Sequence, residues 1–322
     1  MIDRVLGLAS ALSLVVGAAT GTAGPEAAVE LTFQDPEIVE SSGLVATSDG
    51  FFVTTNDSGD SGRIFVVDRS GKTVGTTSWA DDPRDVESLA PAGPGEVWVG
   101  DTGDNSRKRD SITVLRVPYG TGDREVTPAS YELVYPDRAH DAETLMSNPE
   151  TGQLFVVSKD IFGGTTYAAP SRLSADHPNK LRAVADGFTF ATDGSFFPDG
   201  KHYVVRGYTD AAVFAYPSHE RLDSFTLPQQ QQGEGISVGP DGKLYLSTEG
   251  QFSEVLRMRV PAEVAALMKP AETAAPVEPA ADGSGDAGSD DEDGLPWPWL
   301  VGGGLVFVVG AGWLLVRRGQ AS

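Results

Sequence analysis

The chain has 322 residues, 40% of them hydrophobic, a formal charge of −22 and no cysteine. Absence of cysteine excludes disulfides, thiolate metal sites and a cysteine nucleophile. The acidic balance argues against nucleic acid as a partner, because phosphate backbones are bound through clustered Lys and Arg.

In chain order, the first element is an apolar stretch, Val5–Val16, behind Arg4, followed by small residues up to Ala23. This is the pattern of a secretory signal peptide and sets residues 1–23 apart as one. Val29–Phe33 then alternates as a strand that belongs to no repeat.

Five mutually similar units follow. Each opens on a short strand carrying an oxygen-bearing side chain at the same offset: Ser42-Gly43-Leu44, Glu87-Ser88-Leu89, Glu143-Thr144-Leu145, Thr192-Asp193-Gly194 and Glu234-Gly235-Ile236. Each continues through a Pro, Gly or Asp turn into an apolar run that ends in polar residues, at 51–56, 96–101, 154–158, 202–206 and 244–248. The intervals between the marked residues run from 42 to 56 positions, the length of a four-stranded propeller blade. In the second unit the run Ser111–Val117 and the run Ala129–Tyr135 complete four strands, with turn residues at each boundary. The last unit provides only three strands before a short helical stretch, Ala262–Met268. Closure of that unit by the amino-terminal strand yields an all-β, five-bladed propeller over residues 24–269. The extra length in 119–138 and 173–190 leaves a sixth blade as the alternative.

A closed ring gathers Ser42, Glu87, Glu143, Thr192 and Glu234 around one axis. Three convergent, partly buried carboxylates repel one another and call for a counter-charge. A hard cation with oxygen ligands fits, and Ca²⁺ is the expected cofactor. Above the ring lie the loops that follow each second strand. From these and their surroundings Lys159, Arg206, His140 and Asp101 are the candidate ligand-binding residues. Lys159 and Arg206 suit an anion, although pairing with neighbouring aspartates is their commoner use. The loops 56–60 and 101–105 are acidic, but neither has the twelve-residue EF-hand pattern, and plain Asx turns are the expected role.

The order Ser42, Glu87, Glu143, Thr192, Glu234 resembles the axial ring of the calcium-activated nucleotidases (apyrases), with Thr192 in a position that family fills with serine. The resemblance implies five blades and an axial calcium. It extends over the ring and strand spacing of residues 40–260 and transfers no nucleotide-contacting residue. The chain is also similar to membrane-anchored propeller proteins of actinobacteria, which implies a location and no reaction.

Residues 270–294 are rich in Ala, Pro, Gly and acid, with eight acidic and no basic residues between Glu272 and Asp293, as in an extended linker. Leu295–Val316 contains no charge and is long enough to cross a ~30 Å hydrocarbon core. Trp297 and Trp299 stand at its start and Arg317 and Arg318 at its end, which orients residues 317–322 as a cytoplasmic tail. The expected protein is therefore a single-pass cell-membrane protein with an extracellular propeller that binds a small-molecule or protein ligand. The alternative is a Ca²⁺-dependent hydrolase of a phosphoester, nucleotide or lactone-type ester in the same axial funnel.

Overall fold

The computed structural model describes residues 25–57 and 59–269. The expected signal peptide (1–23), linker (270–294), membrane span (295–316) and tail (317–322) lie outside the described residues. Within them no helix is long and apolar enough to cross a membrane.

The strands in chain order build five sheets around one axis. Strand β1 (Ala27–Thr32) precedes blade one, which is β2 (Ser41–Ala46), β3 (Phe52–Asn56), β4 (Arg63–Val67) and β5 (Thr73–Trp79). Blade two consists of β6 (Val86–Gly93), β7 (Glu96–Asp101), β8 (Ile112–Pro118) and, after the short β9 (Arg124–Val126), β10 (Ala129–Val134). Blade three is β11 (Ala142–Ser147), β12 (Leu154–Ser158), β13 (Thr165–Ala168) and, after β14 (Asn179–Lys180), β15 (Arg182–Asp186). Blade four is β16 (Asp193–Phe196), β17 (His202–Arg206), β18 (Asp210–Ala215) and β19 (Arg221–Thr226). Blade five is β20 (Gly233–Val238), β21 (Leu244–Thr248) and β22 (Glu254–Met258), ahead of helix α1 (Ala262–Leu267).

Ring closure follows the expected route. Strand β1 pairs antiparallel with β22, Leu31 opposite Val255, and becomes the outer strand of blade five. The inner strands β2, β6, β11, β16 and β20 each touch the next, and β20 touches β2. Among the described residues no sixth blade forms. The extra length instead supplies fifth strands: β9 runs parallel to β5 on the edge of blade one, and β14 runs parallel to β10 on the edge of blade two. Each of these covers an outer edge whose backbone groups would otherwise face solvent.

The core repeats with the blades. Every pair of neighbouring blades shares an apolar cluster, for example Val53, Ile64, Leu89 and Val99 between blades one and two, and Phe33, Leu44, Phe65 and Val255 between blades five and one. The same holds for the other three junctions. At about 1.5–3 kcal/mol for each fully buried aliphatic or aromatic side chain, these inter-blade layers hold the ring shut. They leave the axis to polar residues.

Candidate functional site

Four of the five ring residues stand where the inner strand departs from regular pairing. The register of β2 against β3 skips between Ser41 and Leu44, and that of β6 against β7 between Val86 and Ser88. Similar skips fall between Ala142 and Thr144 and between Gly233 and Ile236. Ser42, Glu87, Glu143 and Glu234 are therefore bulge residues, freed from the ladder and re-aimed. Blade four differs, since β16 pairs regularly and Thr192 precedes it, donating its N–H to the Arg206 carbonyl at 2.9 Å. Glycine permits the close approach of blades here. A Cβ on Gly43 would lie 2.6 Å from the Leu89 nitrogen of blade two, and one on Gly235 would lie 3.0 Å from Leu44 Cβ of blade one.

All five ring residues are buried. The two hydroxyls link neighbouring blades: Ser42 Oγ donates toward the Glu87 carbonyl at 3.1 Å, and Thr192 Oγ1 donates to the Glu234 carbonyl at 3.0 Å. Ser42 Oγ is also 3.2 Å from Glu87 Oε2. These contacts make the hydroxyls braces of the glutamate-bearing strands.

The three glutamates divide between two neighbourhoods. On the side of blades one and two, one carboxylate oxygen from each of Asp57, Asp85 and Glu87 lies within 4.8 Å of the others. Oxygens around a Ca²⁺ at 2.3–2.6 Å span separations up to about 5 Å, so the cluster has the dimensions of part of a calcium shell. Two carboxylates, Asp85 and Glu87, carry the signature of uncompensated charge. Burial, with the charges of Asp57, Asp141 and Asp101, pushes Asp85 up to about 6. Burial, then Glu143, Asp57 and Asp85, raises Glu87 further still. Asp85 Oδ1 is buried without a hydrogen-bond partner. Hard oxygen donors, an orphaned carboxylate oxygen and mutual repulsion together define a candidate cation site consistent with Ca²⁺.

On the side of blades three and four, Lys159 supplies the counter-charge. Its Nζ donates to Glu143 Oε1 at 2.5 Å and to the Tyr208 hydroxyl at 2.8 Å. Burial opposes ionisation of Lys159, but Glu143 more than offsets this and raises its pKa. Glu143 is itself raised by burial despite Lys159, and its Oε2 is buried without a partner. Burial carries Glu234 up to about 7, against the opposing pull of Lys159 and the Gln232 amide. Gln232 Nε2 bridges Glu234 at 3.3 Å and Glu249 at 2.6 Å.

Three other sequence candidates have different employment. Arg206 is fully buried, and its guanidinium donates to the carbonyls of Gly207 and Gly235 at 3.0 Å each and to Gln230 Oε1 at 3.2 Å. It is a strut between blades four and five that offers no surface to a ligand. His140 lies off the axis, its Nε2 2.8 Å from the Tyr167 hydroxyl and 3.0 Å from Asp137 Oδ2, with the Tyr135 ring beside it. Asp101 accepts the N–H groups of Arg84 and Asp85 at 3.1 and 3.0 Å and pairs with Arg109 at 2.7 Å. It holds the approach to β6 and so positions Asp85. In the acidic loops Asp104 accepts the Lys108 and Arg109 N–H groups, as expected for a turn, and Asp60 accepts from Asn56 and Arg63, whereas Asp57 of the first loop joins the carboxylate cluster.

Asp85 is the functional candidate that repeat reasoning passes over. A signal for it does exist. Glu40, Asp85, Asp141 and Gln232 all stand two residues before a ring position, and alternation along a strand places i and i−2 on one side. Asp57, by contrast, sits in the second-strand loop of blade one, where its N–H donates to the Glu40 carbonyl at 3.1 Å.

The axis has a second concavity at its far end, a cavity of about 540 Å³ walled by the turn residues Pro91, Pro149, Pro198 and Pro240 with Trp98 and Phe196. Glu96 there is paired with Arg116.

No family model matches the chain, and no curated protein does. Among solved structures it is similar to a luciferin-regenerating enzyme, at 13% identity and a TM-score of 0.42, over 74% of this chain and 96% of that one. A glucose dehydrogenase aligns at 10% identity and a TM-score of 0.45, over 73% of this chain and 100% of that one. A gluconolactonase from Xanthomonas campestris aligns at 15% identity and a TM-score of 0.43, over 68% and 71%. The chemistry of the site rests on its own residues.

Proposed function

We propose that this protein is a Ca²⁺-dependent hydrolase acting at the acidic end of the propeller axis on a phosphoester, such as a nucleotide, or on a lactone-type ester. The observation that carries the reading is the meeting of the Asp57, Asp85 and Glu87 carboxylates, with Lys159 as the cation of the other half of the site, bonded to Glu143 and Tyr208. Asp57, Asp85 and Glu87 would hold the cation, with Ser42 orienting Glu87 and Asp101 orienting Asp85. Of the remaining ring members, Glu143 and Glu234 are held by Lys159 and Gln232, and either would be the base that accepts a proton from attacking water. Thr192 serves as a brace. When bound, Ca²⁺ supplies Lewis-acid polarisation of the substrate oxygen.

The address belongs to the same proposal. The apolar run behind Arg4 and the uncharged run Leu295–Val316 support export of the propeller and its attachment to the cell membrane by one span.

The test is hydrolysis by the purified full-length chain of nucleoside diphosphates, aryl phosphates, aryl esters and γ- and δ-lactones, each with Ca²⁺ and with EDTA. Turnover of one class that disappears with EDTA and returns with Ca²⁺ supports the proposal. Equal rates in both conditions across the panel, with Ca²⁺ demonstrably bound, leave a ligand-binding propeller as the reading.

A further inference from the structure

The part of the site on blades three and four contains two adjacent hydrogen-bond donors that still have hydrogens to give. Lys159 follows β12 on blade three, and Tyr208 follows β17 on blade four. An ammonium group has three N–H donors, of which Nζ directs one at Glu143 Oε1 and one at the Tyr208 oxygen. Because the Tyr208 oxygen accepts that bond, its own O–H remains a donor. The Nζ and Oη atoms are 2.8 Å apart, and Nζ lies 5.1 Å from the centre of the tyrosine ring. Tyr208 is among the exposed large side chains of the domain, at 36% exposure, while the Lys159 side chain keeps 19%. Both are reachable from the loop face.

We infer that Lys159 and Tyr208 form an oxyanion clamp, which receives two oxygens carried by one phosphorus or carbon atom of the substrate. The spacing of the donors matches the separation of two oxygens on a single phosphoryl or carboxylate group, and one donor carries full positive charge. Glu143 fixes Lys159 from below, so the ammonium is pre-positioned before any ligand enters. The fully buried Arg206 fixes the other half: it donates to the Gly207 carbonyl at 3.0 Å and reaches the Tyr208 carbonyl at 3.5 Å, holding the loop that carries the phenol. Preorganisation of this kind lowers the ordering cost of binding. The inference rests on the proposed hydrolase reading for its substrate class: an ester with an anionic group, gripped by this pair on one wall and by the cation cluster on the other.

Binding of methylphosphonate and of acetate to the full-length protein in Ca²⁺-containing buffer tests the clamp without turnover. Tyr208→Phe keeps the ring and its packing and removes only the hydroxyl. It is expected to weaken methylphosphonate binding roughly tenfold, the effect of losing one hydrogen bond to a charged group. Lys159→Met is expected to weaken it more, and Ca²⁺ binding by Tyr208→Phe stays at the wild-type level. Acetate affected alongside methylphosphonate identifies a site for either oxyanion, and methylphosphonate alone identifies one for phosphoryl groups. Both results support the clamp. Wild-type affinity for both probes in Tyr208→Phe and Lys159→Met overturns it, even where Ca²⁺-dependent turnover is present. Conversely, weakened probe binding without turnover of any ester leaves the clamp standing and removes the hydrolase reading.

Discussion

Replacing Arg206 by methionine separates a structural strut from a ligand-binding cation. Methionine keeps most of the apolar stem, so the cavity left behind is small and the loss is chiefly polar. Three acceptors lose their closest donor: the Gly207 and Gly235 carbonyls and Gln230 Oε1, at 3.0, 3.0 and 3.2 Å. Each buried acceptor left without a partner costs about 1 kcal/mol or more. Asp193, completely buried, also loses a nearby positive charge and keeps its backbone bonds from the Ile236 and Gly194 N–H groups, at 2.8 Å each, and from the Leu44 N–H. Disrupting one partner in a buried charged network costs about 3–5 kcal/mol. The two figures describe the same network and overlap, and a loss near 4 kcal/mol corresponds to a fall in Tm of about 8–16 °C for a domain of this size. Urea unfolding of the full-length wild type and Arg206→Met, monitored by tryptophan fluorescence, measures it directly. A loss below about 1 kcal/mol, together with abolished methylphosphonate binding, would refute the strut and return Arg206 to the ligand-binding face.

Three further outcomes follow from named contacts. Gly103→Ala places a Cβ 2.4 Å from Asp85 Oδ2 and 2.8 Å from Glu87 Oε1; the crowded carboxylates are expected to lose about tenfold or more in Ca²⁺ affinity by calorimetry, as when groups supporting metal ligands are changed. Leu31→Ala weakens the strand that closes blade five, and urea unfolding is expected to record a loss of about 2–5 kcal/mol. Burial, with Arg182 adding to it, holds His219 below its ordinary imidazole value. Its contribution to stability is therefore complete above the unfolded value near 6.5 and is lost as pH falls through the lower folded value. His219→Asn, which tolerates the local φ of 58°, is expected to show a shallower decline in Tm than wild type between pH 7 and pH 5.

The architecture was legible because it repeats. Five turn-bounded units, an unassigned leading strand and an incomplete last unit are enough to predict the closure that β1 and β22 make. The two parallel edge strands were not legible, because Arg124–Val126 and Asn179–Lys180 are too short to show any alternation. The site was legible only in part. Repetition reveals which residues face the axis, but the bulges that aim Glu87, Glu143 and Glu234 depend on pairing with the second strand. The roles of Arg206 and His140 depend on neighbours from other strands. A buried arginine bonded to carbonyls of 207, 235 and 247 has the same local sequence as an exposed one. Lys159 illustrates the converse, since its position in a second-strand loop is enough to place it beside the axis.

A crystal of the protein grown or soaked with Tb³⁺ as a Ca²⁺ substitute tests the cation site most directly, through the anomalous difference map. The expected result is one strong peak within bonding distance of Asp57, Asp85 and Glu87. A map without a peak there, or with its only strong peak away from all three carboxylates, would contradict it.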